Sequence, residues 1–157
     1  TNCGFLSILQ KELSAAVRVP VLTSSLMQVS TVNTLLPDSK KAGILTISKS
    51  TLSDAHLRAA NVPSDTPIGT TEDGAEFSRV ILNDELQLNI ELARMDNINA
   101  ALKMKTDYPE LGAIILECTN MSPYAEAIQE AVELPVFSIV NLVEWLHAGL
   151  KPKRFSS

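Results

Sequence analysis

Leu111-Gly112-Ala113-Ile114-Ile115-Leu116-Glu117-Cys118-Thr119-Asn120-Met121-Ser122-Pro123 is the stretch on which the fold class turns. Its first six residues carry no polar side chain. A run that is apolar on both faces reads as a central strand of a parallel sheet, covered by helices above and below. The run stops at Glu117-Cys118. Ser122-Pro123 then opens a helix, a capping residue followed by proline at the first helical position.

Outward from this strand the chain alternates between helical and extended segments. Apolar spacing predicts helices over 5–17, 26–36, 51–60, 84–106 and 139–147, with Thr51 as an N-cap and Pro37 closing the second. Extended runs fall at 20–23, 42–47, 67–70 and 135–138. In the longest helix, Leu88, Leu92, Met95, Ile98 and Leu102 form a stripe expected to face the core. Strands separated by helices of this length mean βαβ units, so the class is α/β with a parallel sheet.

Composition removes several function classes. The chain has 157 residues, 45% hydrophobic and 20% charged, which suits one globular domain and not a disordered chain. With 13 basic against 18 acidic residues, and a basic cluster only at Lys151, Lys153 and Arg154, no nucleic-acid partner is expected. The apolar runs are too short to span a bilayer, so no membrane partner is expected, and no secretory signal pattern opens the chain. These features read as a cytoplasmic domain. Two cysteines and two histidines without ligand spacing imply no metal site. His56 and His147 read as surface histidines on helices.

An internal repeat singles out the cysteines. Cys3 precedes Pro20 by 17 positions, and Cys118 precedes Pro135 by the same 17. Val17-Arg18-Val19-Pro20-Val21-Leu22-Thr23 and Val132-Glu133-Leu134-Pro135-Val136-Phe137-Ser138 share one apolar pattern. A lone cysteine at a strand end is ordinarily inert core. A duplicated one is not explained by packing, which does not call for sulfur in both copies. A Cys3–Cys118 disulfide is an alternative, disfavoured without secretory signals.

The position has a chemistry of its own. Cys118 follows the carboxyl end of a buried strand, where open α/β sheets bind ligands. It also precedes a helix N-terminus, whose free N–H groups hold carboxylates and favour a thiolate. Two such thiols across one cleft could remove and return a proton on a carbon beside a carboxylate, titrating as a coupled pair. Ser24, Ser25, Thr46 and Ser48 at strand ends are hydroxyl contacts for a ligand or local caps.

Thr1-Asn2-Cys3-Gly4-Phe5, Gly43-Ile44-Leu45-Thr46 and Leu116-Glu117-Cys118-Thr119-Asn120-Met121 resemble the aspartate/glutamate racemase superfamily, above all its uncharacterised bacterial branch with a Glu-Cys-Thr-Asn motif. The resemblance implies a pseudo-symmetric two-lobe fold, each lobe a parallel four-stranded sheet flanked by helices. It implies cofactor-independent catalysis and a homodimer. By position it makes Cys3 and Cys118 the catalytic thiols. Asn2, Gly4, Phe5, Ser48, Thr119 and Asn120 become binding residues for a small carboxylate-bearing substrate. Asn120 stands where glutamate racemases carry histidine.

On this reading residues 25–138 form the second lobe, while 1–24 and 139–157 are pieces of an incomplete first lobe. The expected activity is a cofactor-independent amino-acid racemase, an isomerase acting through both thiols. Hydantoin racemisation, maleate-type isomerisation, arylmalonate-type decarboxylation and a truncated, non-catalytic binding lobe are the alternatives.

Overall fold

The computed structural model describes residues 3–154. A 3-10 segment at Gly4–Leu9 runs into α1 (Gln10–Ala16), and a second at Ser25–Gln28 runs into α2 (Val29–Leu35). Then follow β1 (Lys41–Thr46), α3 (Asp54–Ala59), β2 (Ile68–Thr70), α4 (Phe77–Leu82) and α5 (Ile90–Asp107). The chain continues through β3 (Leu111–Leu116), a 3-10 segment at Thr119–Tyr124, α6 (Ala125–Val132), β4 (Val136–Phe137) and α7 (Ile139–Leu150).

The strands form one parallel sheet in the order β2-β1-β3-β4. The α/β class and the four-stranded parallel sheet read from the sequence are therefore present. β3 is buried along its whole length, as its uninterrupted apolar run requires.

Alternation along the strands divides the core into two layers. Leu45, Ile114 and Leu116 point to one face, where they meet Phe77, Ala93, Ala101, Met104, Met121 and Ile128 from the helical elements. Ile44, Ala113 and Ile115 point to the other, against Leu26, Val29, Val32, Leu52 and Val62. Each large side chain buried this way contributes about 1.5–3 kcal/mol relative to exposure. Phe5 packs against both layers, joining the first 3-10 segment to the core.

Several local expectations are corrected. Residues 20–23 join no strand; instead Gln10 Nε2 donates to the Val21 carbonyl over 3.0 Å, and Thr23 Oγ1 donates to Gln10 Oε1 over 2.8 Å. The helix expected over 51–60 starts later, capped by Ser53 in a reciprocal box with His56. The long helix starts at Ile90, because Asp84 adopts a left-handed backbone (φ 53°) and Asn89 Oδ1 accepts the Leu92 N–H.

Its buried face is also not the expected one. Ala93, Asn97, Ala101 and Met104 face the core, while Leu92, Met95 and Leu102 are exposed. The helix lies close over the sheet, where Met104 fills the space that a Cβ on Gly43 or Gly69 would need. Small side chains suit that approach. The Asn97 Nδ2 donates to the Ala93 carbonyl of its own helix at 2.8 Å, while its Oδ1 has no hydrogen-bond partner among the described residues. No helix among the described residues is long and apolar enough to cross a membrane.

Candidate active site

Both cysteines occupy the same local structure. Each has an extended backbone, Cys3 at φ −114°, ψ 132° and Cys118 at φ −82°, ψ 132°, and each heads a 3-10 segment of six residues. The Leu6 N–H donates to the Cys3 carbonyl and the Met121 N–H to the Cys118 carbonyl, both at 3.0 Å. An α-helix then follows in each case, α1 and α6. A serine cap follows each copy, one position out of register: Ser24 accepts from the Leu26 N–H at 3.1 Å and Ser138, which pairs with Thr23 in the repeat, from the Val140 N–H at 3.2 Å. The repeat seen in the sequence thus extends to backbone conformation and hydrogen bonding at the two cysteine turns, while β4 in the second copy has no counterpart strand at residues 20–23.

The two turns meet at the carboxyl end of the sheet. Cys3 is exposed and Cys118 half-buried. Burial pushes the Cys118 thiol up to about 12, against the N–H groups of Asn120 and Met121, which favour the thiolate. The charges of Glu117 and Cys3 push it further up, so the two cysteines are electrostatic neighbours. At neutral pH Cys118 rests as a thiol, and it becomes a strong base only when something offsets that burial.

The remaining expected site residues fall in different surroundings. Thr119 is half-buried and Asn120 exposed, immediately after Cys118. Gly4 is buried, and Phe5 packs edge-on against the His56 ring with centroids 5.2 Å apart. Ser48 is buried; its hydroxyl donates to Glu72 Oε1 at 2.8 Å and accepts from Thr51 Oγ1 at 2.7 Å. Asn2 lies outside the described residues.

Glu72 itself gathers the loop after β1. It accepts from the hydroxyls of Ser48, Ser50 and Thr70 and from the Lys49 N–H, and these bonds hold its carboxyl below the usual range despite the opposing cost of burial. Ser25 Oγ donates to the Leu116 carbonyl at 2.6 Å, fixing the second 3-10 segment under the end of β3.

One residue of the site escaped sequence reasoning. Glu117 is only 1% exposed, and Thr46 Oγ1 donates to its Oε2 at 2.8 Å. Its position after an apolar strand, directly before the cysteine, was the available signal. A charge there reads first as a solvated strand end.

Among the described residues no cluster of three or more histidine, cysteine or acidic side chains is arranged to hold a metal ion. An apolar cavity of about 460 Å³ lies away from the cysteines, lined by Leu22, Met27, Val32, Phe137, Leu142 and Trp145 among others.

No protein-family model matches the chain. Among curated proteins it is 24% identical over 158 residues to dimethylsulfoniopropionate lyase 5 of Emiliania huxleyi, covering 94% of this chain and 31% of that protein. It is 24% identical over 155 residues to the dimethylsulfoniopropionate lyase of Durusdinium sp. clade D, covering 95% and 51%. It is 27% identical over 158 residues to dimethylsulfoniopropionate lyase 3 of Emiliania huxleyi, covering 95% and 41%. The chain thus spans between about a third and a half of these relatives' lengths.

Among solved structures, a glutamate racemase from Bacillus anthracis aligns with a TM-score of 0.58 at 13% identity, covering 94% of this chain and 56% of that one. The fold is therefore the α/β fold seen in that racemase. The expected activity is corrected: the curated relatives are named lyases, so the expectation of an amino-acid racemase, and of an isomerase generally, is overturned. The physical reason is that a shared fold does not fix the reaction carried out on it.

Proposed function

We propose that this chain carries the thiol site of a lyase acting on a carboxylate with a sulfonium group on its β-carbon, with dimethylsulfoniopropionate as the substrate. The observation that carries the reading is the placement of Cys118. It lies just past the central strand, heads a helical turn, and is the electrostatic neighbour of a second cysteine with an extended backbone at the head of a like turn. The relatives' shared name, over about 95% of the chain, supplies the substrate class.

The chemistry follows from the substrate's charges. Its sulfonium cation, brought beside Cys118, offsets the burial that keeps the thiol protonated, and the thiolate then forms as a strong base. The thiolate takes the proton from the α-carbon. The electrons of that C–H bond form the α–β double bond while the β-carbon–sulfur bond breaks. Dimethyl sulfide leaves as a neutral molecule carrying the electron pair of that bond, and acrylate remains. The proton held on the thiol passes to solvent, and Cys3, exposed and adjacent, is the relay. N–H groups at the two helical turns bind the substrate carboxylate and stabilise negative charge developing at the α-carbon. Thr119 and Asn120 are the side chains that flank it.

The test is direct. Incubated with dimethylsulfoniopropionate, the protein is expected to form dimethyl sulfide, read by gas chromatography, and acrylate, read by proton NMR, in equal amounts. Absence of both products overturns the reading.

A further inference from the structure

Glu117 takes no direct part in the elimination proposed above, because its side chain is only 1% exposed, yet it touches the end of β1 and the first cysteine turn. Its backbone N–H donates to the Leu45 carbonyl at 2.9 Å, locking the end of β3 to β1. Its carboxylate accepts from Thr46 Oγ1 at 2.8 Å, and the N–H groups of Ile47 and Gly4 also favour its ionised form. Gly4 lies directly against it: a Cβ there would stand 1.9 Å from Glu117 Oε1 and 2.5 Å from Cδ. Oε1 otherwise lacks a well-formed hydrogen bond among the described residues.

Such a carboxylate is costly. Burial raises its pKa, and no cation among the described residues acts on it to repay the desolvation. A leucine or methionine there would fill the same space without that cost. What the carboxylate adds is an acceptor reaching three segments at once: the end of β1, the first cysteine turn, and its own strand end next to Cys118.

We infer that Glu117 is a positioning residue that ties the two cysteine turns together, holding the Cys3–Gly4 turn against the ends of β1 and β3 so that both thiols open on one cleft. The inference rests on the lyase reading for its purpose, and its geometry is independent of it. The same carboxylate governs the neighbouring thiol, because its negative charge opposes a thiolate at Cys118. Cys3 is the other titratable group acting on Cys118; Thr46 and Ile47 of the β1 end and Ser25 of the second 3-10 segment bring no charge.

The test compares wild type with Glu117→Gln, which keeps the shape and removes the charge, and with Glu117→Ala, which removes the contact. Three readouts separate the roles: iodoacetamide labelling of Cys118 located by peptide mass spectrometry, hydrogen exchange over residues 4–9, and dimethyl sulfide release. Near pH 8, Glu117→Gln is expected to speed Cys118 labelling by at least about threefold, since the thiolate fraction rises tenfold for each unit by which the pKa falls. Glu117→Ala is expected to speed exchange across residues 4–9 by at least about tenfold. Turnover in Glu117→Ala falls by at least about tenfold, and Glu117→Gln recovers most of it.

Unchanged exchange over residues 4–9 in a folded Glu117→Ala overturns the inference; if that variant does not fold, Glu117→Leu, which keeps the bulk and removes the acceptor, decides it by the same exchange. Labelling and exchange need no turnover. A wild type that releases no dimethyl sulfide therefore overturns the lyase reading and leaves the clamp standing.

Discussion

Gly4 sits so close to Glu117 that a single methyl group at Gly4 would come within 1.9 Å of the carboxylate oxygen. Gly4→Ala must therefore displace either the Glu117 side chain or the first cysteine turn. The expected cost is about 1–3 kcal/mol of stability, the usual range for forcing an extra methyl into a packed interior. Dimethyl sulfide release is expected to fall by at least about tenfold, because a displacement near 1 Å is enough to misalign a reacting group. Denaturation midpoints and turnover measured on the same preparation check both.

Glu117 links stability to pH in a defined direction. Its folded-state pKa is raised above the ordinary 4.5, chiefly by desolvation. The stability it contributes is therefore complete below that value and is lost as pH rises through the folded pKa. Glu117→Gln cannot ionise and escapes this loss. Urea midpoints should show the variant gaining on wild type as pH rises from about 4 to about 8; a difference independent of pH contradicts the assignment.

Cys118 titrates far above neutrality. With burial holding its thiol up to about 12, iodoacetamide labelling of this residue should rise about tenfold per pH unit between about pH 7 and 10, without levelling. A plateau near pH 9 would place the thiolate in ordinary solvent. The linkage has the same sign as for Glu117: stability attached to the neutral thiol is present below the ordinary 9.0 and lost toward 12.

Asp96 anchors a distant helix. From α5 its Oδ2 accepts the N–H groups of Glu76 and Phe77 at 2.7 and 2.8 Å, and its Oδ1 that of Ala75 at 3.2 Å. These are the free donors at the start of α4, which carries fully buried Phe77 edge-on to Tyr124. Asp96→Ala should cost about 1–2 kcal/mol. Faster hydrogen exchange over residues 75–82 would locate the loss.

That capping explains why α4 could not be read from the sequence. The helix is six residues long, and the side chain that caps it comes from another helix about twenty residues on. By contrast β3 was legible, because six buried residues in a row leave few alternatives to a central parallel strand. The cysteine turns were legible for a different reason: a repeat records equal spacing, and equal spacing produced equal backbone geometry at Cys3 and Cys118.

Where the signal was hydrophobic size, it misled. On α5 the large residues Leu92, Met95 and Leu102 face outward, and the alanines and Asn97 face a sheet that approaches too closely for them. Glu117 was invisible as a buried group because a charge ending an apolar run looks like the start of solvent. The reaction type left no distinguishing mark in the sequence. Removing a proton beside a carboxylate opens both inversion and elimination, and the residues at the two thiols are compatible with either.

The central claim is that elimination runs at the paired thiols, and dimethyl sulfide release by wild type, Cys3→Ala and Cys118→Ala tests it most directly. The account predicts equal amounts of dimethyl sulfide and acrylate from wild type. It predicts a loss of at least about a hundredfold in Cys118→Ala and a marked loss in Cys3→Ala, the scale of removing a positioned acid or base. Release at the wild-type rate from a folded Cys118→Ala protein would contradict it.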